Sequence, residues 1–169
     1  MRHLLLVVGC CLIAAGCQSP HDVKRAVAEM EAKEGSEVKG VVTFEQAENG
    51  VVVKASIDGL KPGKHGFHIH EKGDCSAHDA SSAGGHFNPT NEPHAGPLDR
   101  ERHVGDLGNL EADANGHATY EFLDDVLELN GLHSIIGKSV VIHADPDDLK
   151  TQPTGNSGKR ISCGPIKAL

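Results

Sequence analysis

The sequence predicts an all-β domain, a sandwich or flattened barrel of eight short strands. Short β-rich segments recur along the chain, and turn residues separate them, as at Glu48-Asn49-Gly50, Asp58-Gly-Leu-Lys-Pro-Gly63 and Ala112-Asp-Ala-Asn-Gly116. Composition agrees: 20 glycines, no Trp and 3% aromatics leave a core of Val, Ile, Leu and Ala, which suits a small sheet fold better than a helical bundle. At 169 residues the chain is one domain of ordinary size, large enough for a real core.

The strands follow in order. Residues 24–33 alternate loosely, with Ala26, Ala28, Met30 and Ala32 on one side and Arg25, Glu29, Glu31 and Lys33 on the other. Ala, Glu, Met and Lys also favour helix, so alternation decides for strand here. Residues 38–45 and 51–57 are β-branched strands, and 65–71 is a third built around histidines. Residues 72–103 show little periodicity and read as one long irregular segment, of the kind that is functional when it lies inside a compact domain. Strands resume at 106–111, 117–123, 138–143 and 160–166, with irregular chain at 131–137 and a polar loop at 145–159.

The amino terminus stands apart. Arg2 and His3 precede an apolar run over 4–15, short for a bilayer span and suited to a signal-peptide core. It ends in Ile13-Ala-Ala-Gly-Cys17, which resembles a bacterial lipoprotein processing site, with Ala14 where Leu is usual. The expected organisation is a signal peptide over 1–16, a tether over 17–23 beginning at a lipidated Cys17, and a folded domain over 24–169. Cys10 and Cys11 leave with the signal, so Cys75 and Cys163 remain as an even pair in an exported chain. A disulfide is expected there, the alternative being two buried thiols.

The chemistry concentrates in the histidines. His68 and His70, separated by one residue on a strand, point the same way and can share a metal. His86, His94, His103 and Asp106 follow at spacings of eight, nine and three, and three imidazoles with one carboxylate make a four-coordinate set of the zinc type. Two metals side by side is the first reading. The net charge of −8 argues against nucleic acid as a partner. An anionic small substrate would need a local positive patch set against that field. His21, His78, His117 and His133 are isolated and read as ordinary surface or core residues.

Four stretches, His65-Gly-Phe-His-Ile-His-Glu-Lys-Gly-Asp74, Ala83-Gly-Gly-His-Phe-Asn-Pro89, Arg102-His-Val-Gly-Asp-Leu-Gly-Asn109 and Gly155-Asn-Ser-Gly-Lys-Arg-Ile-Ser-Cys-Gly164, resemble copper/zinc superoxide dismutase. The likeness covers residues 24–169. It implies an eight-stranded Greek-key barrel or immunoglobulin-like sandwich with a long metal-binding loop. It also implies one copper and one zinc per chain, copper on His68, His70, His86 and His143, and zinc on His86, His94, His103 and Asp106. His86 would bridge the two ions and carry a proton. Asp147 would accept hydrogen bonds from His68 and His94. Arg160, three residues before Cys163, would guide superoxide to the copper, the products being dioxygen and hydrogen peroxide.

Two departures bear on these expectations. The loop 147–160 is shorter than is usual in the eukaryotic members, so steering must come from elsewhere, first from Lys72, with Lys150 and Lys159 as further candidates. Cys75 stands eleven residues before His86, a placement resembling the bacterial periplasmic, lipoprotein-type branch. The resemblance is compatible with a homodimer. A rival function is a non-catalytic copper- and zinc-binding lipoprotein that buffers or delivers metal on the same scaffold.

Overall fold

The computed structural model describes residues 22–169. The expected signal peptide over 1–16, Cys17, His21 and most of the 17–23 tether lie outside the described residues. Eight strands form: β1 Arg25–Ala32, β2 Lys39–Ala47, β3 Gly50–Asp58, β4 Gly63–His70, β5 Asp106–Ala112, β6 Ala118–Asp124, β7 Ser139–His143 and β8 Arg160–Ala168. Each lies within two residues of its expected bounds, β4 starting at Gly63 inside the expected turn over 58–63.

The strand order is β5-β4-β7-β8-β1-β2-β3-β6, with every pairing antiparallel. The two end strands, β5 and β6, meet across a seam where the Tyr120 hydroxyl donates to the Leu107 carbonyl at 3.0 Å. The sheet is therefore a nearly closed barrel, which removes the exposed edges that unpaired strands would present. Inside it, alternate residues meet: Ala26, Ala28 and Met30 from β1, Val42 and Phe44 from β2, and Val51, Val53 and Ile57 from β3 are all buried. Ala32 departs from the expected inward face. It is exposed, because β1 has by then run to the end of the barrel.

The site lies on the outer wall, over β4 and β7. All five residues of β7 are buried, as are the last six of β4. In β4 the alternation puts Phe67 and Ile69 into the core and turns His68 and His70 outward, under the long loop. That loop is less irregular than its sequence suggests. A short 3-10 turn at Ser81–Ala83 tucks Ala80 and Ala83 against Val141 and Cys163, beside Cys75. Cys75 and Cys163 form a disulfide with a Cα–Cα distance of 5.8 Å, fastening the loop to β8. Of the two alternatives, the sulfurs are bonded rather than free.

Candidate metal centre

The two outward histidines of β4 come first. Across the sheet His68 pairs with Asp106, the first residue of β5, so backbone register alone brings a ring beside a carboxylate. The long loop then pairs briefly with the end of β4: Phe87 N–H donates to the Ile69 carbonyl at 2.8 Å and Glu71 N–H to that of Gly85 at 3.0 Å. His86 thereby faces His70. His143, the last residue of β7, completes the first group.

One nitrogen of each ring in this group is already committed. His68 Nε2–H donates to Asp147 Oδ2 at 2.8 Å, His70 Nδ1–H to the Gly84 carbonyl at 2.9 Å, and His143 Nδ1–H to the Gly158 carbonyl at 3.1 Å. Those bonds fix the tautomers and leave a lone pair on the opposite nitrogen. His68 Nδ1, His70 Nε2, His86 Nε2 and His143 Nε2 are buried with no hydrogen-bond partner among the described residues. An unmet buried polar atom costs about 1–3 kcal/mol, so convergence of four such atoms needs an explanation. All lie within 4.8 Å of one another, and a cation in their midst would take up every lone pair.

The second group shares His86 and adds His94, His103 and Asp106. Asp106 Oδ2 accepts from the backbone N–H of His103 at 3.0 Å and of Ala95 at 3.1 Å, which aims Oδ1 at the three rings. The Nδ1 atoms of His86, His94 and His103 stand 2.9, 2.9 and 3.2 Å from Oδ1. His103 Nδ1 lies 3.4 Å from His86 Nδ1. Ligands about 2.0–2.1 Å from a tetrahedral zinc are about 3.3 Å apart. The observed separations fit a small cation held by three nitrogens and one oxygen.

Electrostatics set His94 apart from the four rings of the first group. Burial, helped by neighbouring rings, holds His143 down to about 3. Burial likewise holds His86 down to about 4, against the pull of Asp106. His68 and His70 are also lowered by burial. These four rings are neutral at pH 7. His94 behaves oppositely: burial opposes its charge, but hydrogen bonds to Asp106 and Asp147 outweigh that and raise it to about 9. Both carboxyls sit well below the usual range despite burial, since the histidines around them stabilise the anions.

Asp147 joins the groups. Its Oδ2 accepts from His68 and its Oδ1 from His94 Nε2–H at 3.0 Å, so one carboxylate orients a ring in each. Asn109, whose amide carries no site signature in the sequence, holds it there. Its side-chain amide donates to the Asp147 carbonyl at 2.9 Å and accepts from the Asp147 N–H at 2.8 Å. Gly155 is needed for clearance as well as for its φ of +66°: a Cβ there would lie 1.7 Å from Asp147 Oδ1 and 2.7 Å from His94 Nε2.

Asp124 likewise carries no signature in the sequence. Its two oxygens accept from Arg102 Nη2 at 2.7 and 2.8 Å, while Arg102 Nη1 donates to the carbonyls of His103, Val104 and Asp106. This buried ion pair braces the segment that carries two zinc-type ligands. A carboxylate at a strand end has no local signature; the clue was an arginine lodged among ligands and in need of a partner.

Arg160 opens β8 and pairs with His143 across from β7, where the register is irregular. Its guanidinium donates to the Ala80 carbonyl at 2.8 Å and the Gly84 carbonyl at 2.7 Å. It lines a shallow surface depression with Lys159. Lys72 lines a separate depression with Glu71, Phe87 and Lys138, its backbone N–H bonded to the Ala83 carbonyl. Lys150 lies on the loop after Asp147. Of the isolated histidines, His117 is half-exposed against Asp58 and neither His78 nor His133 joins either group.

The family model described as copper/zinc superoxide dismutase matches residues 38–166. The chain belongs to the copper/zinc superoxide dismutase family. Members are enzymes whose cofactors are one copper and one zinc, the two ions that the two side-chain groups fit. Two relatives carry that name. The superoxide dismutase [Cu-Zn] of Paramecium bursaria Chlorella virus 1 is 46% identical over 86% of this chain and 80% of its own length. The extracellular superoxide dismutase [Cu-Zn] of Caenorhabditis elegans is 42% identical over 96% of this chain and 76% of its own. The crystal structure of the clock protein EA4 superposes with a TM-score of 0.83 at 42% identity, covering 90% of this chain and 99% of that one. The all-β barrel is thus the fold of this superoxide dismutase family.

Proposed function

We propose that the protein dismutates superoxide at a copper held by His68, His70, His86 and His143, beside a zinc held by His86, His94, His103 and Asp106. One observation carries the assignment. His86 is the residue common to both groups, with Nε2 unpaired among the first and Nδ1 directed at Asp106 in the second. The division follows ligand chemistry: four imidazoles suit copper, and three nitrogens with one oxygen suit a closed zinc site.

Bound copper supplies the one-electron chemistry by which one superoxide leaves as dioxygen and a second, with two protons, leaves as hydrogen peroxide. The chain does the rest. Arg160 presents its guanidinium at the mouth and orients the anion through charge-assisted hydrogen bonds. His86 Nε2 is the atom placed to take up and release a proton. Asp147 keeps the rings of His68 and His94 in their tautomers, and the closed loop excludes bulk water from the buried nitrogens.

The setting proposed is the bacterial envelope, as in the periplasmic lipoprotein-type branch, with Cys17 as the lipid anchor. The apolar leader, the Ile13-Ala-Ala-Gly-Cys17 stretch and the place of Cys75 support it. The Cys75–Cys163 disulfide suits an oxidising compartment, and a nematode relative is named extracellular. Two measurements test these readings. The copper- and zinc-loaded protein is expected to consume superoxide far faster than its His143→Ala variant; equal rates would favour the metal buffer. Cys17→Ser is expected to move the protein from the membrane to the soluble fraction; an unchanged distribution would remove the anchor.

A further inference from the structure

Next to Arg160 the surface dips into a depression of about 280 Å³ lined by Glu34, Asp79, Ser81, Gly158, Lys159 and Arg160. Lys159 Nζ donates to Glu34 Oε2 at 2.8 Å, across the gap between the start of β8 and the turn joining β1 to β2. The two partners are unequally held. The Lys159 side chain is 76% exposed, that of Glu34 only 26%.

Three contacts fix the turn beneath Glu34. The Lys33 N–H donates to the Ile161 carbonyl at 2.9 Å and the Glu34 N–H to that of His78 at 3.1 Å. The Lys33 ammonium donates to the Cys75 carbonyl at 2.6 Å. On the far side Gly158, which precedes Lys159, accepts the hydrogen bond of His143 Nδ1. The ion pair is thus built into the wall that carries a copper-group ligand and the arginine.

The charges around this depression cancel: Lys159 and Arg160 face Glu34 and Asp79. Asp79 is engaged locally, accepting the Ser81 N–H at 2.9 Å. In a chain of net charge −8, the field of two or three groups at the rim decides whether an anion is drawn in. Lys72 contributes to a different depression.

We propose that Glu34 restrains anion capture at this mouth, by holding the Lys159 ammonium at the rim and cancelling its field next to Arg160. This deepens the superoxide reading and rests on it. Glu34 is a positioning residue acting through Lys159. Removing its charge exposes one positive charge at short range, worth about twofold in anion capture at low ionic strength. The effect fades by about 1 M salt, where screening acts within about 3 Å.

The test uses the metal-loaded full chain and E34Q, K159Q and E121Q. Glu121 supplies the control: it also pairs with a lysine, Lys54 at 3.1 Å, but lies on β6, four strands from β8 in either direction round the barrel. Two quantities are read across ionic strength, the second-order rate of superoxide consumption and the affinity of azide for the copper form by optical titration. E34Q is expected to raise both about twofold and K159Q to lower both about twofold, with all forms converging at about 1 M salt. E121Q is expected to match the unaltered protein. An E34Q protein indistinguishable from the unaltered one, or an E121Q protein that gains as much, overturns the proposal. Azide affinities in the expected order without superoxide consumption by any form would sink the dismutase reading and leave the role of Glu34 standing.

Discussion

Arg160 and His70 donate to the same oxygen, the carbonyl of Gly84, at 2.7 and 2.9 Å. The group proposed to meet the anion and a ring proposed to hold the copper are therefore registered against one backbone atom. A lysine at position 160 keeps the charge but cannot reach both the Ala80 and Gly84 carbonyls as a planar fork does. Arg160→Lys is expected to lower kcat/KM about tenfold, a barrier change of about 1.4 kcal/mol, with copper content unchanged. Steady-state kinetics beside metal analysis checks this; loss of copper in parallel with rate would mean that the arginine acts only as a brace.

Asp147 binds one ring from each metal group, so its loss is felt in both. Asp147→Asn keeps the shape but replaces one charged acceptor with an amide that donates. Zinc affinity is expected to fall about 10- to 100-fold, the range seen when groups behind metal ligands are altered. Competition with a chromophoric chelator reads the change.

The metal-free protein is expected to be most stable near pH 6.5 and to weaken on either side. The copper-group rings have folded pKa values below their ordinary 6.5, His86 at about 4 and His143 at about 3. Below pH 6.5 the unfolded chain binds protons that the folded chain refuses, so stability drops as pH falls towards those values. His94, raised to about 9, gives stability that is complete below 6.5 and is lost as pH rises through 9. Urea midpoints of the metal-free protein from pH 4 to 10 measure the curve; a midpoint that keeps rising between pH 7 and 9.5 contradicts it.

Asp124→Asn leaves Arg102 as a buried charge without its counter-ion. Breaking such a pair typically costs about 3–5 kcal/mol. Because Arg102 also holds the carbonyls of His103 and Asp106, zinc affinity is expected to fall with stability. Denaturation and zinc titration of the same variant show whether the two losses go together.

Much of the fold can be read from the chain because its strands obey a period of two and end in turn residues. His68 and His70 are an example: the pleat that sends Phe67 and Ile69 inward sends both rings out. The loop set of His86, His94, His103 and Asp106 shows in its donor chemistry, whereas His143, alone at the end of its strand, needs the family resemblance to join the copper set. What stayed hidden acts through backbone atoms or distant partners. The Gly84 carbonyl has no side chain to advertise it, Gly155 matters for the room it leaves, and Asp124 answers an arginine 22 positions earlier. Lys72 is near His70 in sequence and Lys159 is next to Arg160, yet the two lysines line different depressions, because position along a chain does not say which wall a side chain borders.

His143 and Arg160 are opposite each other on adjacent strands, although sixteen residues separate them in the chain, from 144 to 159. That excursion leaves the sheet and returns to it between two points already stitched together. Its length therefore does not set the distance between His143 and Arg160, which the pairing of β7 with β8 fixes. Within this excursion Asp147, Gly155 and Gly158 hold rings or leave room for them, so a change of length there moves the lining while the strand pairing stays put.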